Sequence, residues 1–280
     1  MDLLFSYNAQ LHFTTREIFF TLFFCFFSCI IDEKHHGEEV LLNRLAMMVL
    51  KNILKVPGLY LKLCRYARHP QRYSEQEMYD HIRSILQLAV KSGNVDVRVY
   101  GRENLPREGG FILYGNHQGM FDVVALVDSC EIPLAAVFKK ELRNVPFLRQ
   151  VISCTKSFAM DREDVRQSLE VIRAVTQEVE KGRHYLIFPE GTRSRNGNRM
   201  GEFHSGSFRC AVKAKCPVVP LAFIDCYKVL DQKGSKPVSV QMHYLEPITY
   251  EQYSQMKTVE LAALVKERIQ AVIDQYAHEE

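Results

Sequence analysis

From residue 74 onward the chain switches repeatedly between two hydrophobic periods. Ser74-Glu75-Gln76-Glu77 has the spacing of a capping box. Met78, Ile82, Ile85, Leu86 and Ala89 follow on one helical face, until Gly93 closes the pattern. "VDVRVY" (Val95–Tyr100) alternates with period two and predicts a strand. After a turn at residues 106–110, "FILYGN" is a short unbroken apolar run expected of a buried strand. The pattern then recurs: a helix from Phe121, a strand near "LAAVFK", a helix near "ELRNVPFLRQVI" and a strand near "SFAM". "REDVRQSLEVIRAVTQEVEKG" predicts a long helix with Val165, Leu169, Ile172, Val175 and Val179 at helical spacing, stopped by Gly182. "HYLIFPEG" predicts a strand entering a loop, "CPVVPLAFI" and "PVSVQMHYL" two more strands, and "VELAALVKERIQAVIDQY" a C-terminal helix.

Strands alternating with helices predict an α/β fold with a mainly parallel central sheet flanked by helices. In such sheets ligands bind at the carboxyl ends of the strands. The first residues read differently. "IFFTLFFCFFSCII" (residues 18–31) is Phe-rich and nearly unbroken. As a helix it reaches about 21 Å, short of the roughly 30 Å of a bilayer's hydrocarbon. It also has a poor charged n-region and no A-x-A site for a signal peptide. The pair Met47-Met48 offers an alternative start, which would leave residues 1–46 outside the native protein.

Residues 49–72 interleave Lys51, Lys55, Lys62, Arg65, Arg68 and Arg72 with apolar positions, with no acidic residue between Lys51 and Arg72. Pro57-Gly58 is expected to break this stretch into two short helices. Such a segment suits the surface of an anionic bilayer and equally suits an amphipathic helix packed on the domain. The division expected is a Phe-rich segment at 1–46, basic amphipathic membrane-associating helices at 47–93 and an α/β domain at 94–280.

Composition narrows the partners. The 280 residues are 47% hydrophobic and 25% charged, which fits a folded chain. A formal net charge of +3 is too small to argue for nucleic acid. The 8 cysteines form no CxxC pair and no zinc-like Cys/His spacing, so they read as buried thiols in a reducing cytoplasm, with no metal expected.

The candidate chemistry sits where strands end. In "YGNHQGMFDVVAL" (residues 114–126), His117 precedes Asp122 by five positions. Histidine titrates near neutrality, and an Asp within reach fixes its tautomer and stabilises the imidazolium. With no Ser or Cys nucleophile adjacent, the proton would come from a substrate hydroxyl. A lone spacing of this kind also arises by chance in ordinary helices. "FPEGTRSRNGNRM" (residues 188–200) changes that balance: it follows an apolar strand and joins Gly191, Thr192, Arg193, Arg195 and Arg199 in one loop. A small residue, a hydroxyl and guanidinium forks suit a phosphate monoester. The alternative is a solvated basic turn in which Glu190 pairs with an Arg.

"NHQGMFD" together with "FPEGTRSR" resembles the PlsC-type glycerolipid acyltransferase family. "KKELRNVPF" with "FAMDR" resembles that family's second block, and "CPVVPLAF" its fourth, in the family's order over roughly residues 95–225. The resemblance implies His117 as general base, Asp122 as its orienter, and Glu190, Gly191, Thr192 and Arg193 around an acceptor's phosphate, with Arg162 and Lys139 assisting. It implies 1-acyl-glycerol-3-phosphate O-acyltransferase activity: acylation of the sn-2 hydroxyl of lysophosphatidate, giving phosphatidate. The co-substrate would be acyl-CoA or acyl carrier protein, with no cofactor and no metal. It also favours the membrane reading of residues 49–72, hence a peripheral or monotopic place on the cytoplasmic face. Two positions depart from the common pattern: Gly119 and Met120 stand where a Ser often follows, and "FHSGSF" lacks the usual Lys before Gly206. The alternatives are an acyltransferase acting on glycerol 3-phosphate or another lysophospholipid, a phosphoesterase using His117 and Asp122 as metal ligands, and a non-catalytic membrane-binding module.

Overall fold

A computed structural model describes residues 38–277 except Lys233. The Phe-rich run and all but the end of the 1–46 segment lie outside the described residues. Seven strands form one sheet: β1 (Val95–Tyr100), β2 (Ile112–Gly115), β3 (Leu134–Lys139), β4 (Phe158–Met160), β5 (His184–Ile187), β6 (Val218–Ile224) and β7 (Val238–Tyr244), in the order β1-β7-β6-β2-β5-β3-β4. Every pairing is parallel except β6 with β7. The mainly parallel α/β sheet expected from the sequence is therefore present.

The central strands are unbroken apolar runs because both faces are covered. Along β2, Leu113 faces one core while Ile112 and Tyr114 face the other; along β5, Leu186 opposes Tyr185 and Ile187 in the same way. The first core is closed by α1 (Glu38–Leu50), α2 (Val56–Arg68), α3 (Glu75–Ser92), α4 (Phe121–Ser129) and α5 (Pro146–Thr155). The second is closed by α6 (Val165–Glu180), α7 (Arg209–Ala214) and α10 (Thr258–Tyr276). Two short helices, α8 (Tyr227–Leu230) and α9 (Tyr250–Tyr253), complete the chain. Phe223 on β6, with no exposed surface, contributes about 1.5–3 kcal/mol of apolar burial.

Local differences from the expected elements have simple causes. The break in the basic stretch lies at residues 51–55, and Pro57 sits in the first turn of α2, where its missing N–H is no loss. The helix expected from Arg162 starts at Val165, because Asp164 caps it by accepting from the Gln167 amide at 3.0 Å. The helix expected near "ELRNVPFLRQVI" is a 3₁₀ turn at Lys140–Asn144 followed by α5, which opens at Pro146. Ser74 caps α3 by accepting from the Glu77 amide at 3.1 Å. The Glu77 carboxylate is meanwhile taken by the Tyr66 hydroxyl at 2.7 Å, which ties α2 to α3.

The division at residue 47 falls inside α1. Arg44 is buried, and its guanidinium donates to the carbonyls of Gly93 and Lys236 at 2.8 Å each. Leu63 and Tyr66 of α2 lie in the first core. The basic helices are thus packed parts of the domain. No helix among the described residues is long and apolar enough to cross a membrane.

Candidate active site

β2 ends at Gly115, and the chain turns through residues 116–120 into α4. Asn116 fixes the start of that turn. Its amide donates to the Phe223 carbonyl at 2.9 Å, and its oxygen accepts from the Phe223 amide at 2.8 Å. The turn places the His117 ring within reach of Asp122 in the first turn of α4: Nδ1 and Asp122 Oδ2 are 2.7 Å apart. Asp122 is fully buried. Oδ2 also accepts from the amides of Gln118 at 2.7 Å and Gly119 at 3.0 Å. Oδ1 is buried and has no hydrogen-bond partner among the described residues. With Nδ1 engaged by Asp122, Nε2 is the ring nitrogen left able to accept a proton.

The second motif follows β5, the neighbour of β2. Phe188 lays its ring on the His117 imidazole, with centroids 3.9 Å apart and planes 16° from parallel. The Ser194 amide donates to the His117 carbonyl at 2.8 Å, so the two motifs are joined by backbone. Glu190 is buried. Its Oε1 accepts from the His117 amide at 2.8 Å and its Oε2 from the Gly201 amide at 2.7 Å. Burial raises its pKa above the usual carboxylate value, and these two amides act against that rise. The family resemblance implies Glu190 near the acceptor's phosphate; in the structure each of its oxygens accepts a backbone amide, so the side chain ties the two motifs together. Gly191 has φ +72°, and a Cβ there would approach His204 at 3.3 Å and the Arg162 guanidinium carbon at 3.8 Å. Thr192 is exposed on the same loop. Arg193 is largely buried, with Nη1 3.8 Å from Asp231 Oδ1.

Arg162 follows β4, and burial lowers its pKa while Glu141 acts against that shift. Lys139 ends β3; its ammonium lies 3.9 Å from Glu141 and most of its side chain is exposed. His117, Glu190, Lys139 and Arg162 thus come from the carboxyl ends of β2, β5, β3 and β4, which are consecutive in the sheet. The structure brings His117, Asp122, Glu190, Gly191 and Arg162 together and leaves Lys139 at the margin.

Several residues that hold the site were not singled out in the sequence. Gln118 donates to Asn198 Oδ1 at 2.7 Å and accepts from the Cys226 amide at 2.9 Å. Asn198 donates in turn to Asp225 at 2.9 Å. These contacts close the loops after β2, β5 and β6 on one another. Their partners stand 80 and 108 residues from Gln118, and no local pattern marks such pairs. Among the described residues no group of three His, Cys, Asp or Glu side chains is placed to hold a metal ion; the phosphoesterase alternative needs one.

Comparison with known proteins agrees with this architecture. The acyltransferase family model matches residues 96–224. The 1-acyl-sn-glycerol-3-phosphate acyltransferase of Saccharomyces cerevisiae is 28% identical over 62% of this chain and 59% of its own. The protein of that name from Escherichia coli is 31% identical over 55% of this chain and 63% of its own. That from Pseudomonas aeruginosa is 38% identical over 44% of this chain and 48% of its own. The chain spans less than two thirds of the length of these relatives. The crystal structure of the 1-acyl-sn-glycerophosphate acyltransferase PlsC from Thermotoga maritima superposes with a TM-score of 0.62 at 22% identity, covering 84% of this chain and 100% of that one, and shares its fold. The matched region runs from β1 to β6 and contains both motifs of the strand-end site. The chain is thus similar in sequence to 1-acyl-sn-glycerol-3-phosphate acyltransferases and shares the fold of one of them.

Proposed function

We propose that this protein transfers a fatty acyl group from a thioester donor, acyl-CoA or acyl carrier protein, to the sn-2 hydroxyl of 1-acyl-glycerol 3-phosphate. The observation that carries this reading is the His117 Nδ1 to Asp122 Oδ2 contact at 2.7 Å, joined by the Ser194 amide to the arginine-bearing loop. Nε2 of His117 takes the proton of the acceptor hydroxyl as its oxygen attacks the thioester carbonyl. The carbon–oxygen bond forms, the carbon–sulfur bond breaks, and the proton passes from Nε2 to the departing thiolate. Asp122 stabilises the imidazolium in between. The names of the relatives support lysophosphatidate as the acceptor.

In this reading Arg193 and Arg162 meet the acceptor's phosphate, with Gly191 and Thr192 giving the loop its close approach and a hydroxyl. Lys139 adds positive charge at the margin. Glu190 acts as a positioning residue. The exposed apolar and basic residues of α1, α2 and the turn between them lie on an anionic membrane surface, so the protein works as a peripheral enzyme on the cytoplasmic face.

The test is transfer by purified protein in detergent, with 1-acyl-glycerol 3-phosphate and each donor, wild type beside His117→Ala. Phosphatidate from the wild type, reduced at least about 10²-fold in the variant, is the expected result. Equal turnover in both would remove His117 from the role of base. Product with glycerol 3-phosphate alone would move the proposal to that acceptor.

A further inference from the structure

Asp231 stands at the end of α8, on the segment that follows β6, and no motif points to it. Two observations place its carboxylate within the acceptor site. Oδ1 lies 3.8 Å from Nη1 of Arg193. Oδ2 lies 2.4 Å from where a Cβ on Gly119 would be, so the carboxylate occupies the space a side chain at residue 119 would fill. Gly119 is two residues past His117 and donates its amide to Asp122. The absence of a side chain at that position, one of the two departures from the common family pattern, is thus what lets the carboxylate approach. Tyr227, at the start of α8, also packs on the arginine loop, 3.4 Å from a Cβ placed on Gly197. The segment itself is held from behind by the buried Arg44, which donates to the Lys236 carbonyl at 2.8 Å.

We propose that Asp231 is a tethered anion that competes with the acceptor's phosphate for Arg193, a role that rests on the acyltransferase reading of the site. A phosphate monoester carries about −1.5 to −2 charges at neutral pH. It cannot share one guanidinium with a carboxylate at this distance without repulsion, so it enters by displacing Asp231. A tethered group acts at an effective concentration in the millimolar range. That suffices to keep a dilute soluble phosphate off the arginine. An acceptor held at the site by its acyl chain as well as its phosphate overcomes the same competitor. The product bears the same phosphate monoester, so Asp231 also favours its release.

The experiment compares wild type with Asp231→Asn, which keeps the side chain's size and removes its charge. The contact is partly exposed, so the expected fall in KM for 1-acyl-glycerol 3-phosphate is modest, about two- to fivefold. The KM of the acyl donor stays as it was. Inorganic phosphate, added as an inhibitor, becomes more potent by a similar factor. In an Arg193→Ala background the same substitution has no effect on the acceptor's KM. Gly119→Ala is the second variant, since its Cβ drives the carboxylate away without removing it; it lowers the acceptor's KM in the same direction. An acceptor KM that rises or stays constant in Asp231→Asn would overturn the proposal, because Asp231 would then be holding Arg193 in its working posture or doing nothing. Calorimetric binding of inorganic phosphate to the same proteins needs no turnover. Tighter phosphate binding by Asp231→Asn in a protein that transfers no acyl group would sink the proposed reaction and leave the competition standing. Unchanged binding beside His117-dependent transfer would do the reverse.

Discussion

At the scale of single residues, the candidate site rests on side chains that hold one another and the backbone in place. His117 is oriented by a buried carboxylate that also accepts two backbone amides, so Asp122 is fixed before any substrate arrives. Asp122→Asn retains the shape but offers Nδ1 an amide in place of an anion, and turnover is expected to fall roughly 10²–10⁴-fold with little change in melting temperature. An unaltered rate would show that the imidazolium needs no counter-charge. Glu190 has the opposite signature. Glu190→Ala leaves the part-buried amides of His117 and Gly201 without this acceptor, at a cost of up to about 1–3 kcal/mol each, so melting temperature and kcat fall together. A phosphate ligand would instead change the acceptor's KM and leave stability alone, and that outcome would return Glu190 to the substrate. The sequence showed His117, Asp122 and the arginine loop because strand-to-helix turns and clustered charges are local patterns. It did not show which way Glu190 faces, since a carboxylate bound to two amides and one aimed at solvent look the same in a string of letters. Gln118, Asn198 and Asp231 were illegible for a related reason: each acts through a partner distant in the chain.

At the scale of elements, hydrophobic period decided most of the architecture. "FILYGN", "HYLI" and "CPVVPLAFI" have apolar side chains on both faces and became the buried strands β2, β5 and β6. Boundaries were less legible where one side chain competes with the periodic pattern, as Asp164 does in starting α6 and Pro146 in starting α5. The beginning of β5 carries a further consequence. His184 stacks on Phe111 with centroids 4.2 Å apart, and its Nδ1 is buried without a hydrogen-bond partner. Burial lowers its pKa from the ordinary 6.5 to about 4. The unfolded chain therefore takes up this proton before the folded one does. Stability from this site is full above pH 6.5 and is lost as the pH falls toward about 4. Burial lowers the values for His81 and His243 too, and they act in the same direction. His184→Phe keeps an aromatic ring beside Phe111 and removes the titration. Its melting temperature is expected to fall less steeply than that of wild type across this pH range, and parallel curves would show that His184 is not a source of acid sensitivity.

At the scale of the whole molecule, the parallel sheet gathers at one edge residues that the chain keeps far apart, because each of β2, β5, β3 and β4 delivers its following loop to the same end. The basic stretch at residues 49–72 carried two readings, membrane surface or packed amphipathic helix, and the packed one is present in the structure. Leu63 and Tyr66 lie in the core, so deleting these helices would damage the domain and could not report on lipid. The outward face is a separate matter. Leu54 is 94% exposed, Leu50 59% and Leu61 49%, and Lys55, Lys62, Arg65 and Arg68 are exposed around them. Apolar side chains in water beside exposed cations have a reason to be there if the partner is an anionic bilayer, where each cation contributes about 1 kcal/mol. Lys55→Glu with Lys62→Glu alters this face and leaves Leu63 and Tyr66 in the core, at the loss of the Lys62 ammonium's approach to the Tyr66 ring, 5.4 Å from its centroid. Partition onto vesicles of phosphatidylcholine with phosphatidylglycerol is expected to drop at least about tenfold, with the melting temperature held and the wild type's binding weakened by salt. Leu54→Glu should weaken binding as well, by removing apolar burial in the interface. Unchanged sedimentation of both variants with vesicles would mean that this face meets water or a protein instead of a bilayer.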